Sequence, residues 1–191
     1  MAINLSKGQR IDVGLSQLKV GLGWDPNTLT GNDFDLDVSV FMLNERKKIP
    51  AEPYFVFYGN PESPDESVKH SGDERSGQAS EGGDDESVLV DLDKVNSSIT
   101  ELLFIVTIHD FEARKQNFGQ VRNAYIRICD RQNNDSEIAK YELDEDFSVE
   151  SAVEFGRLYK RESKWRFEAS GIGHKQDLAY FVTQYSKNIE V

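Results

Sequence analysis

Acidic side chains are concentrated in two short stretches of this 191-residue chain. The first runs Gly23-Trp24-Asp25 and then Asp33-Phe34-Asp35-Leu36-Asp37. The second runs Ser71-Gly72-Asp73-Glu74-Arg75-Ser76-Gly77 and then Glu81-Gly82-Gly83-Asp84-Asp85-Glu86. Hard carboxylate oxygens select calcium or magnesium over zinc or copper. Calcium takes about six to eight oxygens in irregular geometry, whereas magnesium demands an octahedron and keeps its waters. Flexible, carboxylate-rich loops therefore point to calcium.

Spacing sharpens the chemistry. In an extended chain Asp33, Asp35 and Asp37 share one face, and Phe34 and Leu36 share the other. One face is then buried and the other carries like charges that repel unless a cation sits among them. The plain alternative is a solvated acidic face, but no basic residue interrupts the acids. Same-face neighbours lie roughly 7 Å apart, and residues four apart roughly 13 Å. Calcium–oxygen distances are about 2.4 Å. Adjacent acids can flank one ion, but Asp33 and Asp37 cannot share one while the chain is extended. The triplet suits two neighbouring ions, or one ion with the third acid elsewhere. In the second stretch, glycines between the acids permit sharp turns that bring oxygens together. A disordered acidic loop is the alternative there. EF-hand spacing is absent: counted from Asp33, Val38 stands where that motif needs Gly and Asn44 where it needs Glu.

The elements that must position these acids read as strands. Val38–Met42 alternates, and Tyr54–Tyr58, Ser87–Leu92, Leu102–Ile108, Ala124–Cys129 and Ile138–Leu143 are short apolar or β-branched runs. Phe155–Tyr159 and Trp165–Ala169 flank a polar connection, Lys160–Lys164, of hairpin length. Val149–Tyr159 also admits a helix. Ile3–Leu5, Ile11–Val13 and Lys19–Leu22 are short strand candidates. Two helices are expected. One is short, around Glu112–Phe118, and one is C-terminal, where Leu178, Phe181, Val182 and Tyr185 form a core-facing stripe. This pattern predicts an all-β fold: a β-sandwich of mostly antiparallel strands with one short helix and a C-terminal helix. No repeat or linker divides the chain, so residues 1–191 are read as a single domain. Gly59–Glu86 is the least structured stretch.

Composition sets the outer limits. The formal net charge is −12, which repels nucleic-acid phosphates and anionic membrane surfaces. Cys129 is the sole cysteine, so no intrachain disulfide forms, and its apolar surroundings suit a buried structural thiol. The N-terminus lacks the apolar core of a signal peptide, and Leu102–Ile108 is far short of the roughly 20 residues that span a bilayer. A soluble, cytoplasmic protein without direct membrane insertion is expected.

Several motifs in fixed order resemble the TerD family of tellurite-resistance and stress proteins. They include Val20-Gly21-Leu22-Gly23-Trp24-Asp25, Asp33-Phe34-Asp35-Leu36-Asp37, Phe55–Tyr58 and Gly72-Asp73. Gly83-Asp84-Asp85-Glu86-Ser87, Val106-Thr107-Ile108-His109-Asp110 and Phe118-Gly119-Gln120-Val121 continue the likeness. Phe155-Gly156, Leu158-Tyr159, Trp165-Arg166-Phe167 and Gly171-Ile172-Gly173 carry it to nearly the whole chain. The resemblance implies a β-sandwich that binds two calcium ions in adjacent loops. Its implied ligands are Asp25, Asp33, Asp35, Asp37, Asp73, Asp84, Asp85 and Glu86, with Asp110 as a ligand or loop anchor. It also implies bacterial stress physiology beside other Ter-type proteins, including at the inner membrane through a membrane-embedded partner. Gln78–Gly82 is longer and less acidic than the family pattern, and Glu81 is not carried over.

Other constellations are weaker. His109-Asp110 is an acid–base pair without a nucleophile motif, and a metal-dependent hydrolase using the acids and His109 is the runner-up reading. His70 and His174 are isolated, with surface or packing roles expected. Gly21-x-Gly23 lacks the third glycine and helix of a dinucleotide fingerprint. The basic residues from Arg114 to Arg127 read as a solvated face. A non-enzymatic calcium module that passes metal state to partners is the leading reading.

Overall fold

The computed structural model describes residues 2–28, 31–72, 75, 83–143 and 147–186. Its strands are β1 (Ile3–Asn4), β2 (Arg10–Asp12), β3 (Gln17–Gly23), β4 (Leu36–Leu43), β5 (Phe55–Val56), β6 (Val68–His70) and β7 (Glu86–Asp91). They continue as β8 (Glu101–Ile108), β9 (Tyr125–Asp130), β10 (Ser136–Glu142), β11 (Ala152–Arg161), β12 (Lys164–Glu168) and β13 (Ile172–His174). The helices are α1 (Phe111–Arg114) and α2 (Leu178–Ser186).

The strands form two sheets. The first has the order β1-β10-β9-β3-β7-β6, and the second β2-β12-β11-β8-β4-β5 with β13 also on β11. Pairing is antiparallel except for β1 on β10. The inner faces share one core. Leu18, Val20 and Leu22 of β3 and Val88 and Val90 of β7 meet Val38 and Val40 of β4 and Phe104 and Val106 of β8. The expected mostly antiparallel β-sandwich is therefore present.

The centre of the second sheet is buried on both faces. Every residue of β4 and β8 is buried, which is why Leu102–Ile108 reads as an unbroken apolar run. Its outer face carries Phe41, Leu43, Leu103 and Ile105, covered by α2 through buried Phe181 and half-buried Leu178, Val182 and Tyr185. The Phe41 ring packs 4.5 Å from Phe55 and 5.1 Å from Tyr185. The core-facing stripe of α2 is thus observed. Burial, helped by the Glu154 and Glu101 carboxylates, pushes the Tyr185 hydroxyl well above its ordinary range.

Four expectations need adjustment. The strand in Tyr54–Tyr58 shrinks to Phe55–Val56, because Phe57 turns back onto Asn60. The short helix is Phe111–Arg114 and stops where Lys115 turns left-handed, with a separate 3-10 turn at Phe118–Gln120. Val149–Tyr159 is strand, not helix, over Ala152–Arg161, and a bulge between Glu154 and Gly156 breaks its alternation. Gly59–Gly72 is ordered, because it includes β6 and a turn knotted by Asp65.

That knot is a stability device. Asp65 Oδ1 accepts from the Ser63 and Ser67 hydroxyls and from the Ser67 N–H, and Oδ2 accepts from the Asn96 N–H at 2.8 Å. Burial alone would raise the Asp65 pKa, but these bonds outweigh it and hold the carboxyl below its ordinary value. A depressed carboxylate stabilises the fold above the unfolded pKa, about 3.9, and loses that effect as pH falls through the folded value. Asp65→Ala is expected to cost about 1–2 kcal/mol at pH 7. Urea melts should show the gap to the parent chain closing as the pH is taken below 4.

Candidate functional site

The first acidic stretch lies where β4 begins. Strand pairing starts only at Leu36, so Asp33 and Asp35 precede the strand and Asp37 opens it. The alternation nevertheless continues across the boundary. Phe34 and Leu36 enter the shared core, and Asp33, Asp35 and Asp37 line one cavity of about 320 Å³. Asn32, Tyr58, Arg75, His109 and Arg114 complete its wall. Because Asp33 lies outside the strand, strand spacing does not govern its distance from Asp37.

The cavity acids meet basic side chains. Arg114 Nη1 lies 3.4 Å from Asp35 Oδ2, and His109 Nδ1 lies 4.0 Å from Asp37 Oδ2. The backbone around them is pinned. The His109 N–H donates to the Asp35 C=O at 2.8 Å. Buried Gln116 donates from Nε2 to the Asn32 and Asp33 carbonyls at 3.0 and 3.2 Å. Trp24 Nε1 donates to the Phe34 C=O at 3.0 Å.

The second stretch divides. Asp84 reaches the outer face of the first sheet, where Lys19 Nζ and Arg127 Nε bind its oxygens at 2.9 and 2.7 Å. The Asp84 hydrogen bond raises the Arg127 pKa further, against the effect of burial. Burial first, and Asp84 second, push the Tyr125 hydroxyl up to about 12. Tyr125 also bonds the Gly83 carbonyl, and Lys140 Nζ lies 4.3 Å from the centre of its ring. Asp85 Oδ2 accepts from the Trp24 N–H at 3.0 Å, and Asp25 Oδ2 accepts from Asn123 Nδ2 at 2.6 Å. Glu86 is inside the sandwich, with Oε2 accepting from the Val38 N–H at 2.9 Å. Asp110 is at the surface, with Oδ2 3.4 Å from His109 Nε2. Asp73 and Glu81 lie outside the described residues.

The structure therefore gathers Asp33, Asp35 and Asp37 and places Asp84 and Glu86 in separate settings. Among the described residues, no three His, Cys, Asp or Glu side chains are close enough to hold a metal as they stand. The donor chemistry still fits calcium. The cavity offers carboxylates on one wall, and Arg114 already lends positive charge beside Asp35. Of the basic residues from Arg114 to Arg127, Lys115 and Arg122 are exposed as expected, but Arg114 and Arg127 are half-buried partners of candidate ligands. Patterning carried no sign of Gln116 or Tyr58, since neither belongs to an acidic motif.

The glycines of Val20–Asp25 have a local reason. A Cβ on Gly21 would overlap the Asp84 carboxylate, and one on Gly23 would come within 2.5 Å of the Tyr125 ring. Asp84 cannot easily yield, because Lys19 and Arg127 hold it. Gly21→Ala is expected to destabilise by about 1–3 kcal/mol, as overpacked sites do, and denaturant unfolding checks this. Combining it with Asp84→Ala should recover most of the loss.

A second cavity of about 360 Å³ shares Asp37, Tyr58 and His109 with the first and extends past Asp110 and Glu112 to Asp177 of the α2 entry. Cys129 is buried, and burial raises its thiol pKa, which suits a structural role. Among the described residues, no helix is long and apolar enough to cross a membrane.

Comparison with known proteins places these features in a family. General stress protein 16U of Bacillus subtilis (strain 168) is 45% identical over 195 residues, covering 99% of this chain and 100% of that protein. Tellurium resistance protein TerD of Serratia marcescens is 43% identical over 193 residues, covering 98% and 99% respectively. The crystal structure of a homologue of telluride resistance protein (TerD) from Streptomyces coelicolor A3(2) superposes with a TM-score of 0.72 at 22% identity. It covers 88% of this chain and 95% of that one. The TerD domain matches residues 1–185, and the chain belongs to the TerD family.

Proposed function

We propose that this is a non-enzymatic calcium-binding protein of a bacterial tellurium-resistance and general-stress system, acting as a calcium-responsive scaffold or signalling module. The names of its relatives support the stress role. The observation that carries the calcium reading is the common cavity of Asp33, Asp35 and Asp37. Those residues would hold the ion, and Asp110 would anchor the adjoining loop. Calcium bound there would supply positive charge to the clustered carboxylates in place of Arg114. Arg114 would then release Asp35, and His109 would stay as a wall residue. The resemblance also offers Asp25, Asp73, Asp84, Asp85 and Glu86 to a second ion; Asp84 would first have to leave Lys19 and Arg127, and Glu86 the Val38 N–H, before the two could share one.

The wall of the first cavity, among the described residues, includes no serine, cysteine or lysine beside His109. Neutralisation of the clustered carboxylates by the ion would complete a surface for other Ter-type stress proteins, in the cytoplasm or at the inner membrane through a membrane-embedded partner. Calorimetric titration tests the reading. Calcium is expected to bind more tightly than magnesium, and Asp35→Ala to lose most of the heat. Equal heats in both chains would remove Asp35 from the ion site, and phosphoester turnover that Asp35→Ala abolishes would favour the hydrolase.

A further inference from the structure

β5 pairs β4 only at Val40 and Phe41. Further along this edge, the backbone of Val38 is served by side chains from the opposite sheet. Its N–H donates to Glu86 Oε2 at 2.9 Å, and its C=O lies 3.0 Å from His70 Nε2. A carbonyl oxygen can only accept, so Nε2 carries the imidazole hydrogen. The other ring nitrogen, Nδ1, accepts from the Gly72 N–H at 3.0 Å. Both nitrogens thus have one assigned role, and the ring has no exposed surface. It is neither isolated nor a surface group.

The positions of its partners matter. Val38 adjoins Asp37 at the first acidic stretch. Gly72 stands at the head of the second stretch, and Glu86 at its foot lies 3.5 Å from the same ring. The hairpin base is closed beside it, where the Ser71 N–H donates to the Ser87 C=O at 2.8 Å and the Ser87 N–H to Ser71 Oγ at 2.9 Å. One buried imidazole therefore touches the framework of both stretches. A residue present only to fill space would need no such pair of directed bonds.

We propose that His70 is a positioning residue that couples the two acidic stretches, so that an ion held at Asp33, Asp35 and Asp37 is felt at Gly72 and Glu86. This rests on the calcium reading above. The test uses the full chain with His70→Asn and His70→Gln. Asn can keep the acceptor that faces Gly72 but loses the donor to Val38. Gln can keep that donor but loses the acceptor. Both variants are expected to weaken calcium binding by about tenfold or more, within the usual range of coupling between sites. In the parent chain, calcium should slow amide exchange at Ser71, Gly72 and Ser87, and neither variant should show that slowing.

Unchanged calcium affinity and unchanged slowing, with only a lower melting temperature, would overturn the coupling and leave His70 a packing residue. Failure of the parent chain to bind calcium would overturn the calcium reading and this proposal with it, so the two failures are distinct. A nitrogen-15 NMR spectrum of the parent chain guards against variants that do not fold. It should show hydrogen on Nε2 and a bare Nδ1 for His70, and the opposite tautomer would overturn the proposal by itself.

Discussion

Converting Asp35 and Asp37 together to Asn is expected to lower calcium affinity by about 100-fold or more and to leave the fold intact. Charge-assisted contacts are worth about 1.5–3 kcal/mol each, and two of them convert to that ratio. Asn keeps the size and one oxygen of Asp, so packing at the head of β4 is retained. The cost without calcium is small. Buried Asp35 loses its pairing with Arg114, 3.4 Å away, but Arg114 remains partly exposed to water and Asn still offers it an oxygen, so the loss is about 1–2 kcal/mol. Against this, two like charges leave one cavity. In chelator, the variant should melt near the parent chain. Isothermal titration gives the affinity and calorimetry the melting. A variant that binds calcium as the parent does would remove these acids from the ligand set.

Phe104→Ala should be the most destabilising change considered. Phe104 lies mid-β8, fully buried in the core shared by both sheets. Its strand pairs with β4 on one side and β11 on the other. Neighbours held in ladders on both sides cannot collapse into the void. Phe→Ala in such sites costs about 3–5 kcal/mol. For a chain of this length that lowers the melting temperature by roughly 6–20 °C. Strand β4 carries Asp37, so looser β4–β8 pairing should also weaken calcium binding, though less than loss of the ligands. Chemical denaturation and titration of the same sample separate the two effects.

The sandwich was legible because its strands are apolar on one face or both. Leu102–Ile108 announced a strand covered on both sides, and the Leu178–Tyr185 stripe announced the helix that covers it. The acidic triplet was legible for the same reason: Phe34 and Leu36 must go inward, so the aspartates cannot. What stayed hidden depends on partners far apart in sequence. Asp84 and Glu86 sit two residues apart in one acidic run, yet one is bound by Lys19 and Arg127 on an outer face and the other serves Val38 inside. Only the folded sheets separate them. His70 looked isolated because its partners, Val38 and Glu86, are 32 and 16 positions away. The order in Gly59–Gly72 was hidden because polar turn residues look alike whether or not they are knotted. Here Asp65 ties the Ser63–Ser67 turn together and fastens it to Asn96 of the β7–β8 connection.

In the proposed function, the cavity at Asp33, Asp35 and Asp37 binds calcium in the folded chain. Thermal unfolding across a calcium titration tests it most directly, because a ligand that binds only the native state raises its stability by mass action. At about 100 times the dissociation constant, the gain should be roughly 2.7 kcal/mol per independent site. The melting temperature should climb with calcium, respond far less to magnesium, and stay flat in the Asp35→Asn/Asp37→Asn chain. A parent chain whose melting temperature ignores calcium up to millimolar concentration would contradict it.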